Sequence, residues 1–194
     1  MPDSDWKSAY GDRLQTAAEA MKLVHPGNTV FIGTGCGQPQ HLVEALVRHA
    51  RNVQDVRIVQ LLTMGPAPYA EKQYRDTFKM NSFFVAENVR DAMEEGFGDY
   101  TPIFLSEAPQ EFNSGRISVD VALISVSPPD ENGLSSLGVS RDVVKSAIAN
   151  AKYVIAQVNP RMPRTFGDSL LHVRDLDVLV DHAEEIITVP VPET

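Results

Sequence analysis

The chain has 194 residues, 43% apolar and 22% charged, a make-up that excludes a collagen, a low-complexity fibre or a disordered tail. Its length suits one large domain, which can bury roughly 70% of the surface of the unfolded chain and needs no covalent staples. Seventeen Lys and Arg against 26 Asp and Glu give a net charge of -9 with no basic patch, so no nucleic-acid partner is expected, while such an average permits a locally basic pocket for a small anion.

The opening residues, Met-Pro-Asp-Ser-Asp-Trp, carry neither a basic region nor an apolar segment, and the longest aliphatic run, Val121 to Val126, is far short of a span, so neither signal peptide nor membrane helix is expected. Thr16-Ala-Ala-Glu19 reads as a capping box, and Ala20, Met21, Leu23 and Val24 form the stripe of a short helix that ends at His25-Pro26-Gly27. Thr29 to Ile32 is a buried strand, Gly33 to Gln38 a glycine-rich turn, and Pro39 to Ala50 a helix with Leu42, Val43, Leu46 and Val47 on one face. Val56 to Leu62 is the next strand. Thr63 to Lys79, with Pro66 and Pro68, reads as a loop with at most one turn of helix, and Ser82 to Ala86 as a strand.

Ala92 to Glu95 and Leu105 to Phe112 are weaker helical stretches. Val119 to Val126 is a long strand, unbroken in its apolar character except at Asp120. Such strands belong to a parallel sheet covered on both faces. A helix from about Arg141 to Ala149, a strand from Tyr153 to Val158 and a last strand from Glu185 to Val189 complete the pass. The βαβα alternation predicts an α/β fold, a three-layer α/β/α sandwich with a mostly parallel sheet, without internal repeat or linker.

In such a sheet, ligands sit beyond the carboxyl ends of the strands. The loop Gly33-Thr-Gly-Cys-Gly-Gln-Pro39 lies there. Its glycines permit positive φ and close backbone approach, and the helix after it directs its positive end to the same place, which favours a carboxylate, phosphate or oxyanion. The structural alternative is a turn made tight by glycine. The G-x-G-x-G spacing departs from the G-x-G-x-x-G dinucleotide fingerprint, no acid ends the second strand, and no Gly-Lys-Ser/Thr follows for a P-loop. Two further loops follow strands. Ser125 to Ser140 contains the turn residues Pro128, Pro129, Asp130 and Gly133 together with Ser135, Ser136 and Gly138, and Asn159 to Ser169 brings Arg161 and Arg164.

Cys36, the only cysteine, sits near a helix start where a thiol would be activated, but no His or Asn is spaced to complete a nucleophilic pair, so it reads as a small loop residue. Having no partner for a disulfide, it fits a reducing, cytoplasmic setting. Glu87 reads as a solvated loop carboxylate, Glu184 and Glu185 as an exposed face, and His172 as a structural hydrogen-bonding group. His25, His41, His49, His172 and His182 show no ligand spacing, so no metal site is expected.

Four segments then carry a resemblance: Phe31 to Leu42, Tyr100-Thr-Pro-Ile-Phe-Leu-Ser-Glu-Ala-Pro109, Ser127 to Ser140, and Met162-Pro-Arg-Thr-Phe-Gly-Asp-Ser169. Together, in order from about Trp6 to the end, they resemble the amino-terminal half of the acetyl-CoA hydrolase/transferase family, most of all its 4-hydroxybutyrate CoA-transferases. The resemblance implies two similar α/β halves with the acyl and CoA pocket between them. It also implies a glutamate nucleophile that passes through an acyl anhydride and a glutamyl thioester. That glutamate belongs to the carboxyl-terminal half, so the expectation is a single amino-terminal domain over 1–194 that ends at Pro192-Glu-Thr194, about where the crossover begins, with no catalytic residue of its own and inactive when isolated.

By the same resemblance, Gly33, Thr34, Gly35, Gly37, Gln38, Pro39, Ser135, Ser136 and Gly138 form this half's wall of the substrate cleft, with backbone donors for a carboxylate or oxyanion. Gln38 either adds an amide donor or caps the helix beginning at Pro39. Coenzyme A is implied as a substrate, with no permanently bound cofactor. The implied partners are an acyl-CoA, a short-chain carboxylate such as 4-hydroxybutyrate, and a carboxyl-terminal half or partner subunit, with homo-oligomerisation left open. An acetyl-CoA hydrolase of the same family and a non-catalytic binding or assembly module are the alternatives.

Overall fold

A computed structural model describes residues 6–190 of the chain; the reading of residues 1–5 as free of a leader and of 192–194 as the start of a crossover lies outside the described residues. The elements in chain order are α1 (Trp6–Ala9), α2 (Ala17–Ala20), β1 (Thr29–Ile32), α3 (Gln40–Arg48), β2 (Val56–Gln60), β3 (Phe78–Ser82), α4 (Glu87–Glu94), β4 (Gly98–Tyr100), α5 (Ala108–Asn113), β5 (Val119–Val126), β6 (Leu134–Ser136), α6 (Val144–Ala149), β7 (Ala151–Val158), β8 (Leu170–His172) and β9 (Val178–Asp181). Seven strands form one parallel sheet in the order β4-β3-β2-β1-β5-β7-β9, and β6 and β8 pair antiparallel beside it.

Each local feature has a sequence cause. Thr16 caps α2 in a reciprocal box with Glu19, which satisfies two amides that a helix start leaves open. β5, wholly apolar but for Asp120 and Ser125, lies centrally between β1 and β7, as its two-faced burial requires. Helices cover both faces. One core joins Ala17, Met21, Leu42, Leu46, Val89 and the inner rows Val30/Ile32, Val121/Leu123 and Val178/Val180. The other joins Trp6, Phe112, Val144, Ala147 and the alternate residues Phe31, Ala122, Ile124 and Ala156. Phe31 and Phe83 meet the Phe112 ring edge-on at 5.6 and 6.0 Å, a favoured aromatic geometry.

Two strands are displaced from their expected positions. The third occupies Phe78–Ser82, not 82–86: Phe78, Met80 and Ser82 alternate inward while Lys79 faces out, which suits a strand next to the sheet edge, whereas Phe83 leaves the sheet to fill the second core. The last occupies Val178–Asp181, where its residues pair with Ile155 to Val158; residues 185–189 form no strand. The short strands β4, β6 and β8 carry no local signal and were not anticipated.

Strand alternation has a consequence for function. On the α3 side, the inner rows of β2, β3, β5 and β7 end in Gln60, Ser82, Ser125 and Gln157, all buried. Side chains two apart share a face, so the apolar floor turns polar at the carboxyl edge.

Candidate functional site

β1 pairs with β2 on one side and β5 on the other. The chain winds outward from β1 to β4 and then returns to β5, so the carboxyl ends of β1 and β5 form a topological switch point, where loops diverge and open sheets bind ligands. The glycine loop sits at this point.

The loop is built into its surroundings. Gly33 N–H donates to Leu123 O at 2.8 Å and Gly35 N–H to Leu62 O at 2.6 Å, while Gly37 N–H is shared by Thr34 O at 3.1 Å and Ser140 Oγ at 3.0 Å. Gly35 has φ +56° and bridges to Thr63, extending the β1–β2 ladder. These three amides are therefore spent on the fold, and the donor role expected of them toward a ligand is not available in this arrangement. The glycines serve close approach: a Cβ on Gly33 would lie 3.3 Å from Leu123 O, and one on Gly37 2.7 Å from Ser140 Cβ.

Buried Thr34 donates its hydroxyl to the Asp142 carboxylate. Gln38, 3% exposed, does not cap the helix. Its Nε2 donates to Pro66 O at 2.7 Å and its Oε1 accepts from Gly65 N–H at 3.1 Å. Pro39 occupies the position before α3 without a side-chain cap. Cys36 is half-buried at the tip of the turn.

The second loop is knitted more tightly still. Ser136 Oγ accepts from the amides of Gly138 and Thr165, both at 3.1 Å, and donates to Thr165 O. Gly138 holds φ +60°, and a Cβ there would lie 2.2 Å from Met162 Sδ. Ser135 is fully buried on β6 and its Oγ has no hydrogen-bond partner. Arg164 pairs with Asp130 at 2.6 Å and donates to Leu134 O, while Arg161 pairs with Glu185 at 2.7 Å. Arg161 and Arg164 thus both have internal partners. His172 Nδ1 accepts from Arg174 N–H at 3.0 Å, a structural bond.

A further network supports the loop after β2. Asn88 Nδ2 donates to Gly65 O at 2.6 Å and to Thr63 Oγ1, Thr63 donates to Gln60 Oε1, and Gln60 Nε2 donates to Ser82 Oγ. Tyr69 also donates to Gln60, and burial pushes its phenol well above the usual range, keeping it a neutral donor. Beside this network a cleft of about 340 Å3 is lined by Thr63, Met64, Ala86, Glu87 and Asn88. Glu87 is exposed on its wall. Sequence reasoning missed the network because Gln60, Thr63 and Asn88 are scattered polar residues; only their shared place at strand ends marks them.

Glu184 departs from its expected exposure. Its side chain is 17% exposed, accepting from Gln40 N–H at 3.1 Å and Gln157 Nε2 at 2.5 Å. The positive end of α3 is thus filled by the chain's own carboxylate. Glu185 remains exposed.

The edge is also apolar at its rim. Met64, Val85, Tyr100, Phe104, Leu105, Val139 and Phe166, seven of the nine exposed large apolar side chains among the described residues, lie at or beyond the carboxyl ends of strands, with Phe104 at 75% and Phe166 at 80% exposure. Among the described residues, no cluster of His, Cys, Asp or Glu is arranged to hold a metal ion, and no helix is long and apolar enough to cross a membrane.

Comparison with known proteins agrees with this architecture. The chain is 40% identical over 97% of its length to a 4-hydroxybutyrate coenzyme A transferase of Clostridium kluyveri, of which it covers 44%. It is 41% identical over 83% of its length to a succinyl-CoA:acetate/propanoyl-CoA:succinate CoA transferase of Fasciola hepatica, covering 34% of that protein. The crystal structure of a 4-hydroxybutyrate CoA-transferase from Porphyromonas gingivalis superposes with a TM-score of 0.80 at 28% identity, over 95% of this chain and 43% of that one. The chain therefore spans less than half the length of these relatives. Residues 2–192 match the family model of the acetyl-CoA hydrolase/transferase N-terminal domain. With the parallel sheet, the glycine loop at its switch point and the sequence likeness in agreement, the chain belongs to the acetyl-CoA hydrolase/transferase family, as its N-terminal domain.

Proposed function

We propose that this chain is one amino-terminal domain, spanning 1–194, of a cytoplasmic CoA-transferase that exchanges CoA between acetyl-CoA and a short-chain carboxylate such as 4-hydroxybutyrate. The nucleophilic glutamate is supplied by a second half. The observation that carries this reading is the apolar rim around a polar switch-point edge, the character expected of one wall of a two-walled cleft. Gly33, Thr34, Gly35, Gly37, Gln38, Pro39, Ser135, Ser136 and Gly138 form that wall. They act through shape and close backbone approach, since the amides of Gly33, Gly35 and Gly37 already have acceptors within the chain.

In the reaction, the glutamate carboxylate attacks the thioester carbonyl and CoA thiolate leaves, giving a mixed anhydride. The thiolate then attacks the glutamyl carbonyl, the first acid departs and a glutamyl thioester remains. The acceptor carboxylate takes the acyl position by the reverse sequence. The thioester's energy is conserved provided water is excluded, which a cleft closed by a second wall achieves. CoA acts as a substrate, and no permanently bound cofactor is required.

The test is to combine this chain with a polypeptide carrying the second half and follow CoA exchange between acetyl-CoA and labelled 4-hydroxybutyrate. Exchange is expected from the complex and none from this chain alone. Thiol release without acceptor would indicate a hydrolase, and a verified complex with neither activity a non-catalytic module.

A further inference from the structure

We propose that residues 182–187 form a strap over the carboxyl edge of the sheet, latched by the stacked His41–His182 pair, that releases on acidification and uncovers the amino end of α3. The inference does not depend on the transfer reaction proposed above.

The strap crosses the edge by successive attachments. His182 N–H donates to Val158 O at 3.1 Å as the chain leaves β9, and the His182 ring lies on the ring of His41 at 3.7 Å with 9° between planes. Asn159 clasps the Glu184 backbone from both sides, its Nδ2 donating to Glu184 O at 2.8 Å and its Oδ1 accepting from Glu184 N–H at 3.2 Å. The Glu184 carboxylate occupies the start of α3, Glu185 pairs with Arg161, and Ile187 reaches Gly65, where a Cβ would lie 2.7 Å from Ile187 Cδ1. The strap thus runs from β9 over the glycine-loop helix to the loop after β2.

Among these attachments, only the ring stack sets two imidazoles face to face, a contact that disfavours positive charge on both rings at once. Glu44 and Arg48 of α3 face His41 together with His182. Glu184 Oε2 lies 3.9 Å from His182 Nε2, and the neighbouring Asp181 is engaged by Lys7 of α1. A proton on His41 would sit against the face of the His182 ring and near the Arg48 charge in a partly desolvated place. Desolvation, then the charges of His182 and Arg48, hold His41 below the ordinary imidazole range. The closed strap therefore binds protons less well than the open one. Closure is complete above the free-histidine value of about 6.5 and is lost as pH falls below it.

Amide hydrogen exchange of this chain at about pH 7.5 and about pH 5, corrected for intrinsic rates, tests the latch. The Glu184 and Gln40 amides report the strap, and those of Val121 to Leu123 report global stability. At the lower pH the open population should rise measurably, because the open form binds the His41 proton more tightly than the closed one, while β5 stays protected. His41→Phe keeps a stacked ring without its charge and should abolish the step, His182→Phe should shrink it by removing one of the charges that hold His41 low, and Glu184→Gln should leave a step in place. Equal protection at both pH values, loss of protection shared by β5, a step that survives His41→Phe, or one removed by Glu184→Gln would each overturn the proposal.

Discussion

Gly37 shows how tightly the glycine loop is set. A Cβ there would lie 2.7 Å from Ser140 Cβ and 2.9 Å from its Oγ, so Gly37→Ala must push the loop or Ser140 aside. The expected loss is about 1–3 kcal/mol, the range for overpacking a full site. It should appear as a lower urea midpoint with unchanged slope and be partly recovered by adding Ser140→Gly; unaltered stability would show that the loop yields freely. Gln38 is the complementary case, a polar side chain expected either as a ligand donor or as a helix cap and found instead as a staple. Gln38→Leu leaves the buried Gly65 N–H without its acceptor and takes the donor from Pro66 C=O, and should cost about 1–3 kcal/mol. Faster amide exchange at Gly65 should accompany it, with β5 amides unaffected apart from the global loss.

At the level of elements, the polar exception in the longest strand proves to be a fastening. Asp120 on β5 accepts from Thr29 N–H at 2.8 Å, where β1 begins, and from Lys152 on β7 at 2.6 Å. Burial pushes its carboxyl upward, but the hydrogen bonds from Lys152 and Thr29 and the Lys152 charge outweigh that and hold it below the usual range. A depressed carboxylate contributes stability that is present above its unfolded value of about 3.9 and is lost as pH falls through the folded one. Asp120→Asn should therefore be less stable than the parent by about 1 kcal/mol near neutrality, with the gap closing as pH falls below the free-carboxyl value of about 3.9; a gap independent of pH would refute the charge's part in it. The misplaced elements teach the converse. Phe83 to Ala86 is the more apolar stretch, yet the sheet takes the alternating Phe78–Ser82, because a near-edge strand is half solvated and the aromatic pair beyond it is wanted by the second core. β6 and β8 are three residues each and find one another across the long loops after β5 and β7, so nothing local announces them.

For the molecule as a whole, the two ends of the sheet differ in what they leave open. The rim around the carboxyl edge holds exposed aromatic side chains that do not support this fold, Phe104 and Phe166 foremost. Serine at both positions should change unfolding free energy by less than about 0.5 kcal/mol while weakening association with a second half, as measured by titration calorimetry with that half. Undiminished association would move the contact elsewhere. The two measurements separate fold from assembly, which is where the proposed transfer reaction needs the rim.

The sequence by itself determined the class of fold, the central strands β1 and β5, the capping box at Thr16 and the family, because aliphatic runs, turn residues and caps act over a few neighbouring positions. It also placed the glycine loop at a strand's carboxyl end. What the loop's hydrogen-bonding groups do was decided only in three dimensions: Gly37 meets Ser140 103 positions away, and the start of α3 meets Glu184 144 positions away. An amide or helix end offers the same donor whatever its surroundings, and the nearest acceptor that packing delivers decides whether it serves a ligand or the fold.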